Sequence, residues 1–126
     1  MKWMVALVLM AAPALADEAL DCKDPKDQNS MTQCAALGFE AADKALNEAW
    51  PKLKADAEAN DEGTGKTEYA EALLASQRAW LAFRDAECNW QGFEAHGGSL
   101  EPMILYACKA RLTKERITQL QTGASE

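Results

Sequence analysis

The chain has 126 residues, a formal net charge of −7, and 48% hydrophobic residues. This length suits one domain, and the negative charge argues against nucleic acid or an anionic lipid surface as a partner. The four cysteines include no CxxC pair and there is a single histidine, so we predict neither a metal site nor a cofactor.

The first sixteen residues have the features of a secretory signal. Lys2 gives a positive start, Trp3 to Ala12 is an apolar run, and Ala14-Leu15-Ala16 has the small-x-small pattern of a cleavage site. A membrane anchor is the alternative, but about ten apolar residues are too few to span a bilayer. We predict cleavage after Ala16, a periplasmic or secreted location, and no membrane attachment afterwards. Loss of Lys2 takes the net charge from −7 to about −8.

A first amphipathic helix is predicted from about Met31 to Ala59. Asn29 or Ser30 is the expected N-cap, because both residue types accept hydrogen bonds from first-turn amides. Pro51 cannot donate a backbone hydrogen bond, so we expect a kink or a short break there. The apolar side of this helix comprises Ala35, Phe39, Ala42, Leu46, Ala49, Trp50, Leu53 and Ala57.

A second helix is predicted from about Lys66 to Phe93, after a polar and Gly-containing turn over residues 60–65. Its core-facing stripe comprises Leu73, Gln77, Trp80, Leu81, Arg84 and Cys88. A guanidinium in such a stripe is costly unless it is paired and hydrogen-bonded. The rest of the chain must therefore supply Arg84 with acceptors and Trp80 with a packing surface.

A third helix is predicted from about Glu101 to Gln121, with Ser99 as N-cap and Pro102 in the first turn. It follows the Gly-rich loop Glu94–Leu100. The apolar side comprises Ile104, Leu105, Cys108, Leu112, Ile117 and Leu120. Short loops between amphipathic helices predict an all-α, antiparallel three-helix domain over residues 17–121, followed by a disordered tail over 122–126.

Facing residues can be inferred if the first two helices form a hairpin about Gly63. Asp43 then lies level with Arg84, and Asn47 lies level with Gln77. We therefore predict an Asp43–Arg84 ion pair shielded beneath Trp80.

An even number of cysteines in an exported chain indicates two disulfides. Cys88 and Cys108 are equally far from the Gly97-Gly98 turn, which favours a bridge between the second and third helices and leaves Cys22 to pair with Cys34. Pairing Cys34 with Cys88, and Cys22 with Cys108, also suits the hairpin.

Several of these segments resemble a known family, the lysozyme inhibitor LprI-like N-terminal domain family of exported bacterial proteins. The most specific segment is Gln77-Arg78-x-Trp80-x-x-x-Arg84-Asp85-x-x-Cys88. The others are Cys22 and Cys34, Ala42-Asp43-x-x-Leu46-Asn47, Gly97-Gly98-Ser99, Cys108, Leu112-Thr113, Arg116 and Leu120. The resemblance covers nearly the whole mature chain and implies an all-helical, disulfide-bonded envelope domain, with lysozyme inhibition in some members.

We predict a binding protein and not an enzyme, because the one histidine lies in a Gly-rich loop and no nucleophile is apparent beside it. An acidic protein suits a basic partner such as c-type lysozyme, whose cleft holds two carboxylates. The candidate contact residues are His96, Gly97, Gly98 and Ser99. The alternative for the two glycines is that they only provide the backbone conformation of a helix-to-helix turn.

A structural or adaptor role in the envelope, with no lysozyme contact, is the alternative function. An exposed tryptophan would favour it. Trp80 is expected in the core, whereas Trp90 falls away from the core stripe and is either a contact with the third helix or an exposed anchor.

Overall fold

The computed structural model describes residues 19–123, which form three α-helices and no β-strand. The helices are α1 (Gln28–Glu62), α2 (Glu68–Gly92) and α3 (Glu101–Thr122), and a 3₁₀ turn, Phe93–Ala95, follows α2. The all-α, three-helix prediction is confirmed. The predicted signal over residues 1–16 and the end of the predicted tail, residues 124–126, lie outside the described residues.

α1 begins earlier than predicted and continues through its proline. Its N-cap is Asp27, whose Oδ1 accepts a hydrogen bond from the Ser30 amide at 2.7 Å. The prediction of Asn29 or Ser30 as cap was wrong, because Asp27 supplies the same acceptor one turn ahead of them. The short break that was one alternative at Pro51 is absent, because the apolar side is continuous on both sides of Pro51 and tertiary packing sustains the helix. A kink at Pro51, the other alternative, stays a prediction.

The connection between α1 and α2 depends on a buried carboxylate. Asp61, in the last turn of α1, accepts hydrogen bonds from the Tyr69 and Ala70 amides at 2.8 and 3.0 Å. These are first-turn amides of α2, which otherwise lack partners. α2 therefore starts at Glu68, two residues later than predicted, and the first helix itself caps it.

α3 begins at Glu101 and has Pro102 in its first turn, as predicted. Ser99 is not its N-cap. Leu100 occupies that position and no side chain caps the helix, because the backbone already turns before it: the Glu101 amide donates to the Gly98 carbonyl at 3.3 Å. α3 also includes Thr122, the first residue of the predicted tail.

α3 packs most extensively against α1 and also packs against α2, while α1 and α2 have a smaller mutual interface. The predicted apolar sides of α1 and α3 are buried or half-buried throughout. The predicted α2 stripe is less buried than expected: Leu81 is exposed, and Leu73 and Trp80 are only partly buried. α2 faces α3 more than α1, so its buried stripe is narrower than the predicted one and Leu81 lies outside it.

Two disulfides join Cys22 to Cys34 and Cys88 to Cys108. This confirms the favoured pairing and excludes the alternative. Cys88 is fully buried, so the second bridge lies in the core between α2 and α3. Over residues 19–123, no helix has both the length and the apolar character needed to cross a membrane.

Candidate functional site

Arg84 is the polar centre of the core. Its Nη1 lies 3.5 Å from Asp43 Oδ1, and its Nε lies 3.0 Å from Asp85 Oδ1. Nη1 also donates to Thr113 Oγ1 at 3.5 Å, and the Thr113 side chain is completely buried. The predicted Asp43–Arg84 pair is therefore present, and α3 adds a neutral acceptor that the sequence did not indicate.

Two aromatic rings complete the surroundings of this guanidinium. Arg84 Cζ lies 5.1 Å from the centroid of Phe39 and 5.3 Å from that of Trp80. Cation–π contacts of this kind are more favourable when they are desolvated. The predicted shielding by Trp80 is present, and a ring from α1 contributes as well.

A second guanidinium, that of Arg116 on α3, contacts the same tryptophan at 5.7 Å. It donates from Nε to Gln77 Oε1 at 3.1 Å and from Nη2 to Ser76 Oγ at 2.8 Å. Burial lowers the pKa of the Arg116 guanidinium from its ordinary value. Gln77 is thus held by α3, and it is not hydrogen-bonded to Asn47, which donates to Asp43 Oδ2 at 3.5 Å.

The residues of the predicted structural motif are therefore joined through one another and through α3. Among residues 19–123, no buried side-chain nitrogen or oxygen lacks a hydrogen-bond partner. The buried polar atoms of this cluster are engaged within the core, where such hydrogen bonds stabilise the fold.

The Gly-rich loop between α2 and α3 presents the predicted contact residues. His96, Gly97, Gly98 and Ser99 are all exposed. Gly97 has a φ of +79°, which L side chains rarely adopt. The loop is thus a tight turn in which Gly97 has the conformational role that the structural alternative assigned to both glycines, whereas Gly98 does not have a positive φ.

Glu101, the first residue of α3, fixes this loop in place. Its Oε1 lies 3.0 Å from His96 Nδ1, and its Oε2 accepts a hydrogen bond from the Gly97 amide at 2.7 Å. These two hydrogen bonds lower the pKa of the Glu101 carboxyl below its ordinary value. The His96 ring also stacks on Phe93, with centroids 4.2 Å apart. The loop is therefore held on both sides of Gly97.

Glu101 was not among the predicted site residues. An acidic side chain in the first turn of a helix is a recognisable signal, because it complements the positive end of the helix dipole. The sequence did not indicate that this carboxylate would reach back to His96 and Gly97.

The loop adjoins a shallow apolar pocket. Its lining residues are Trp90, Gln91, Phe93, Glu94 and Ile104. Trp90 is 71% exposed, as the exposed-anchor alternative requires, and it lines this pocket together with Ile104 of α3. Trp90 lies away from the buried residues Gln77, Arg84 and Cys88 around the circumference of α2.

The loop lacks the arrangement expected of a nucleophilic catalyst. Ser99 makes no hydrogen bond to His96, and all four cysteines are in disulfides. Over residues 19–123, no group of three or more His, Cys, Asp or Glu side chains is arranged to hold a metal ion. What the loop offers is a rigid, exposed surface.

Comparisons with known proteins agree with this description. A family model described as lysozyme inhibitor LprI matches residues 22–120. An uncharacterized protein of Rhizobium meliloti (strain 1021) is 38% identical over 121 residues, covering 91% of this chain and 87% of the relative. No solved structure gives a significant match. The match of the family model across all three helices and all four cysteines shows that the chain belongs to the LprI lysozyme inhibitor family.

Proposed function

We propose that this protein is an exported inhibitor of c-type lysozyme, which it inhibits by placing the loop Glu94–Leu100 in the enzyme's cleft. Family membership supports the class of partner. The observation that carries the proposal is the exposed loop that Glu101 holds through His96 and the Gly97 amide. In this proposal the protein binds its partner and catalyses no reaction.

The rigidity of the loop supports a blocking role. Ordering a flexible loop on binding costs free energy, so a loop that is already fixed retains more of its contact energy as affinity. The Gly97–Glu101 hydrogen bond and the stacking of His96 on Phe93 fix the loop before any partner arrives. The Cys88–Cys108 bridge fixes the two helices that carry it.

Charge supports a basic partner. The net charge of −7 attracts a basic protein and increases its rate of association at low salt. Glu94, at the start of the loop, is exposed and adds negative charge beside the proposed contact. Steering of this kind weakens as ionic strength rises.

The test is a lysozyme lysis assay in which the oxidised protein, beginning at Asp17, is titrated at two salt concentrations. We expect inhibition that is stronger at low salt. His96→Ala combined with Ser99→Ala removes two contact side chains and keeps Gly97, so it should raise the inhibition constant by at least about tenfold.

The matched control is Lys66→Ala combined with Thr67→Ala, in the loop at the opposite end of α2. Both residues are exposed, and the Thr67 side chain does not cap α2. At the higher salt concentration, where the lost Lys66 charge is screened, this variant should inhibit like the original protein. Absence of inhibition at low salt, or equal inhibition by the loop variant, would contradict the proposal.

The exposed indole of Trp90 favours a second function, that of an envelope adaptor with no lysozyme contact. Tryptophan is enriched at the energetic centres of protein interfaces. Affinity capture from an envelope extract, compared with capture by the Trp90→Ala variant, distinguishes the two functions. A specific partner lost in that variant, together with absence of lysozyme inhibition, would favour the adaptor.

A further inference from the structure

The outward side of α2 carries apolar residues that are exposed to solvent. It lies opposite the buried residues Gln77, Arg84 and Cys88. Phe83 and Trp90 on this side are 54% and 71% exposed. We call it the α2 outer face; its exposed members are Ala72, Ala75, Ala79, Ala82, Phe83, Ala86 and Trp90. A solvated helix face is ordinarily polar, so the apolar character of this one calls for a partner.

We propose that the α2 outer face is a homodimer interface, on which the α2 helix of a second copy lies antiparallel. The alanines at 72, 75, 79, 82 and 86 alternate steps of three and four residues, the spacing of a coiled-coil seam. Small side chains allow two helix axes to approach at the short end of the 8–10 Å range. A two-fold axis between Ala79 and Ala82 places each alanine of the seam near a small or polar residue of the other copy.

Charges at the edge of the seam complement one another under this symmetry. Arg78 is exposed and has no ion pair or side-chain hydrogen bond within residues 19–123. Asp85 uses only its Oδ1 toward Arg84 and Lys109, at 3.0 and 3.6 Å. The two-fold axis brings Arg78 of each copy level with Phe83 of the other, two residues and about 3 Å along the helix from Asp85, so the long Arg78 side chain can reach that carboxylate and form two identical ion pairs.

The large side chains are also complementary. Trp90, near one end of α2, comes level with Ala72 and Tyr69 of the second copy, near the other end. Tyr69 is itself 55% exposed. The antiparallel arrangement therefore covers Trp90 and Tyr69 with each other and places the small alanines at the centre. Self-complementarity of this kind is what a two-fold interface requires.

The available area suits a modest but specific dimer. An aromatic side chain buries about 150–250 Å² when fully covered. The exposed parts of Phe83, Trp90 and Tyr69, together with the five exposed alanines, therefore provide about 500 Å² of surface that a second copy could bury on each chain. The total of about 1,000 Å² is at the lower limit for a specific interface. We expect association at micromolar concentrations, with the loop 94–100 outside the interface.

Sedimentation of the oxidised protein beginning at Asp17, between 1 and about 100 µM, measures this association. We expect a reversible monomer–dimer equilibrium. Ala79→Glu places two carboxylates against each other at the centre and should make the protein monomeric. Arg78→Glu converts both ion pairs to repulsions and should raise the dissociation constant by about tenfold or more.

The matched control is Ala45→Glu, the same substitution at an exposed position of α1. It should leave the dimer unchanged, and circular dichroism should be the same for all variants. A photo-crosslinking residue at position 86 tests the orientation, because it should capture the peptide that contains Ala75. A monomer at 100 µM, a dimer that survives Ala79→Glu, or a crosslink from 86 to 86 would overturn the proposal.

Discussion

Arg84 and Asp43 form an ion pair whose members differ in exposure, with 9% and 41% of their side-chain surfaces accessible. The guanidinium depends on its protein partners, whereas water solvates much of the carboxylate. Arg84 also has Asp85, Thr113 and two aromatic rings as partners. Removing one member of the pair therefore has different consequences from removing the other.

Arg84→Ala should lower the free energy of unfolding by about 3 kcal/mol, because it removes packing, cation–π contacts and buried hydrogen bonds together. Asp43→Asn should lower it by less than about 1 kcal/mol, since an exposed partner contributes little. Urea unfolding of the two variants measures the difference. Equal losses would mean that the pair is more deeply shielded than its exposure indicates.

Glu101 makes the loop sensitive to acid. Its pKa in the folded protein is lowered from the ordinary 4.5 by hydrogen bonds from His96 and from the Gly97 amide. A lowered pKa means that the stabilisation is fully present above the unfolded value and is lost as pH falls through the folded value. The loop should therefore loosen only below about pH 4.5.

Hydrogen exchange of the Gly97 amide tests this expectation. Its protection factor should be constant at neutral pH and should fall in acid, while Glu101→Gln should lower it at every pH. Glu115→Gln is the control, because that carboxylate pairs with Arg111 on the exposed surface of α3. Unchanged protection in Glu101→Gln would show that the turn holds without the carboxylate.

Residue spacing within the hairpin was sufficient to predict the Asp43–Arg84 pair, but not its neighbours on α3. The reason lies in the apolar pattern of α3, which is less regular and does not fix how the helix is rotated. Thr113 and Arg116 depend on that rotation, and both supply partners to α2. Polar contacts between helices distant in sequence require the packing itself.

At the scale of elements, α1 determines where α2 starts. The Asp61 carboxylate accepts two first-turn amides of α2 and is buried in doing so. A cap supplied by the preceding helix couples the end of one element to the start of the next. The sequence predicted the turn but not this cap, because capping patterns refer to residues adjacent to the helix that they cap.

Asp61→Ala should lower the free energy of unfolding by about 1–2 kcal/mol, because it leaves two part-buried amides of the first turn of α2 without an acceptor. Asp27→Ala, at the exposed N-cap of α1, is the comparison and should cost about 1 kcal/mol or less. Amide exchange should quicken at Tyr69 and Ala70 in the first variant only. Slow exchange at both positions would mean that water or a neighbour replaces the carboxylate.

At the scale of the whole molecule, the two disulfides fix different parts. Cys22–Cys34 ties the N-terminal loop to α1, and Cys88–Cys108 joins α2 to α3 below the Gly-rich loop. Cysteine spacing and the position of the Gly97-Gly98 turn were sufficient to favour this pairing. The position of the candidate loop was predicted as well, whereas its attachment through Glu101 was not.

Replacing either cysteine pair by serine should lower the free energy of unfolding by about 3 kcal/mol, since the closed loops differ little in length. The effects on lysozyme inhibition should differ. Loss of Cys88–Cys108 frees the helices that carry the loop and should weaken inhibition, while loss of Cys22–Cys34 should not. Lysis assays on both folded variants check this, and equal weakening would contradict the assigned contact surface.

α1 has its largest interface with α3, the last helix in the chain. Synthesis runs from the N-terminus, so a nascent chain that ends before residue 101 lacks the surface against which its first helix packs. Such a chain also carries Cys88 without its partner Cys108. The domain therefore reaches its folded state only once nearly all of it has been made, so a chain that stops before α3 leaves the apolar side of its first helix open to solvent.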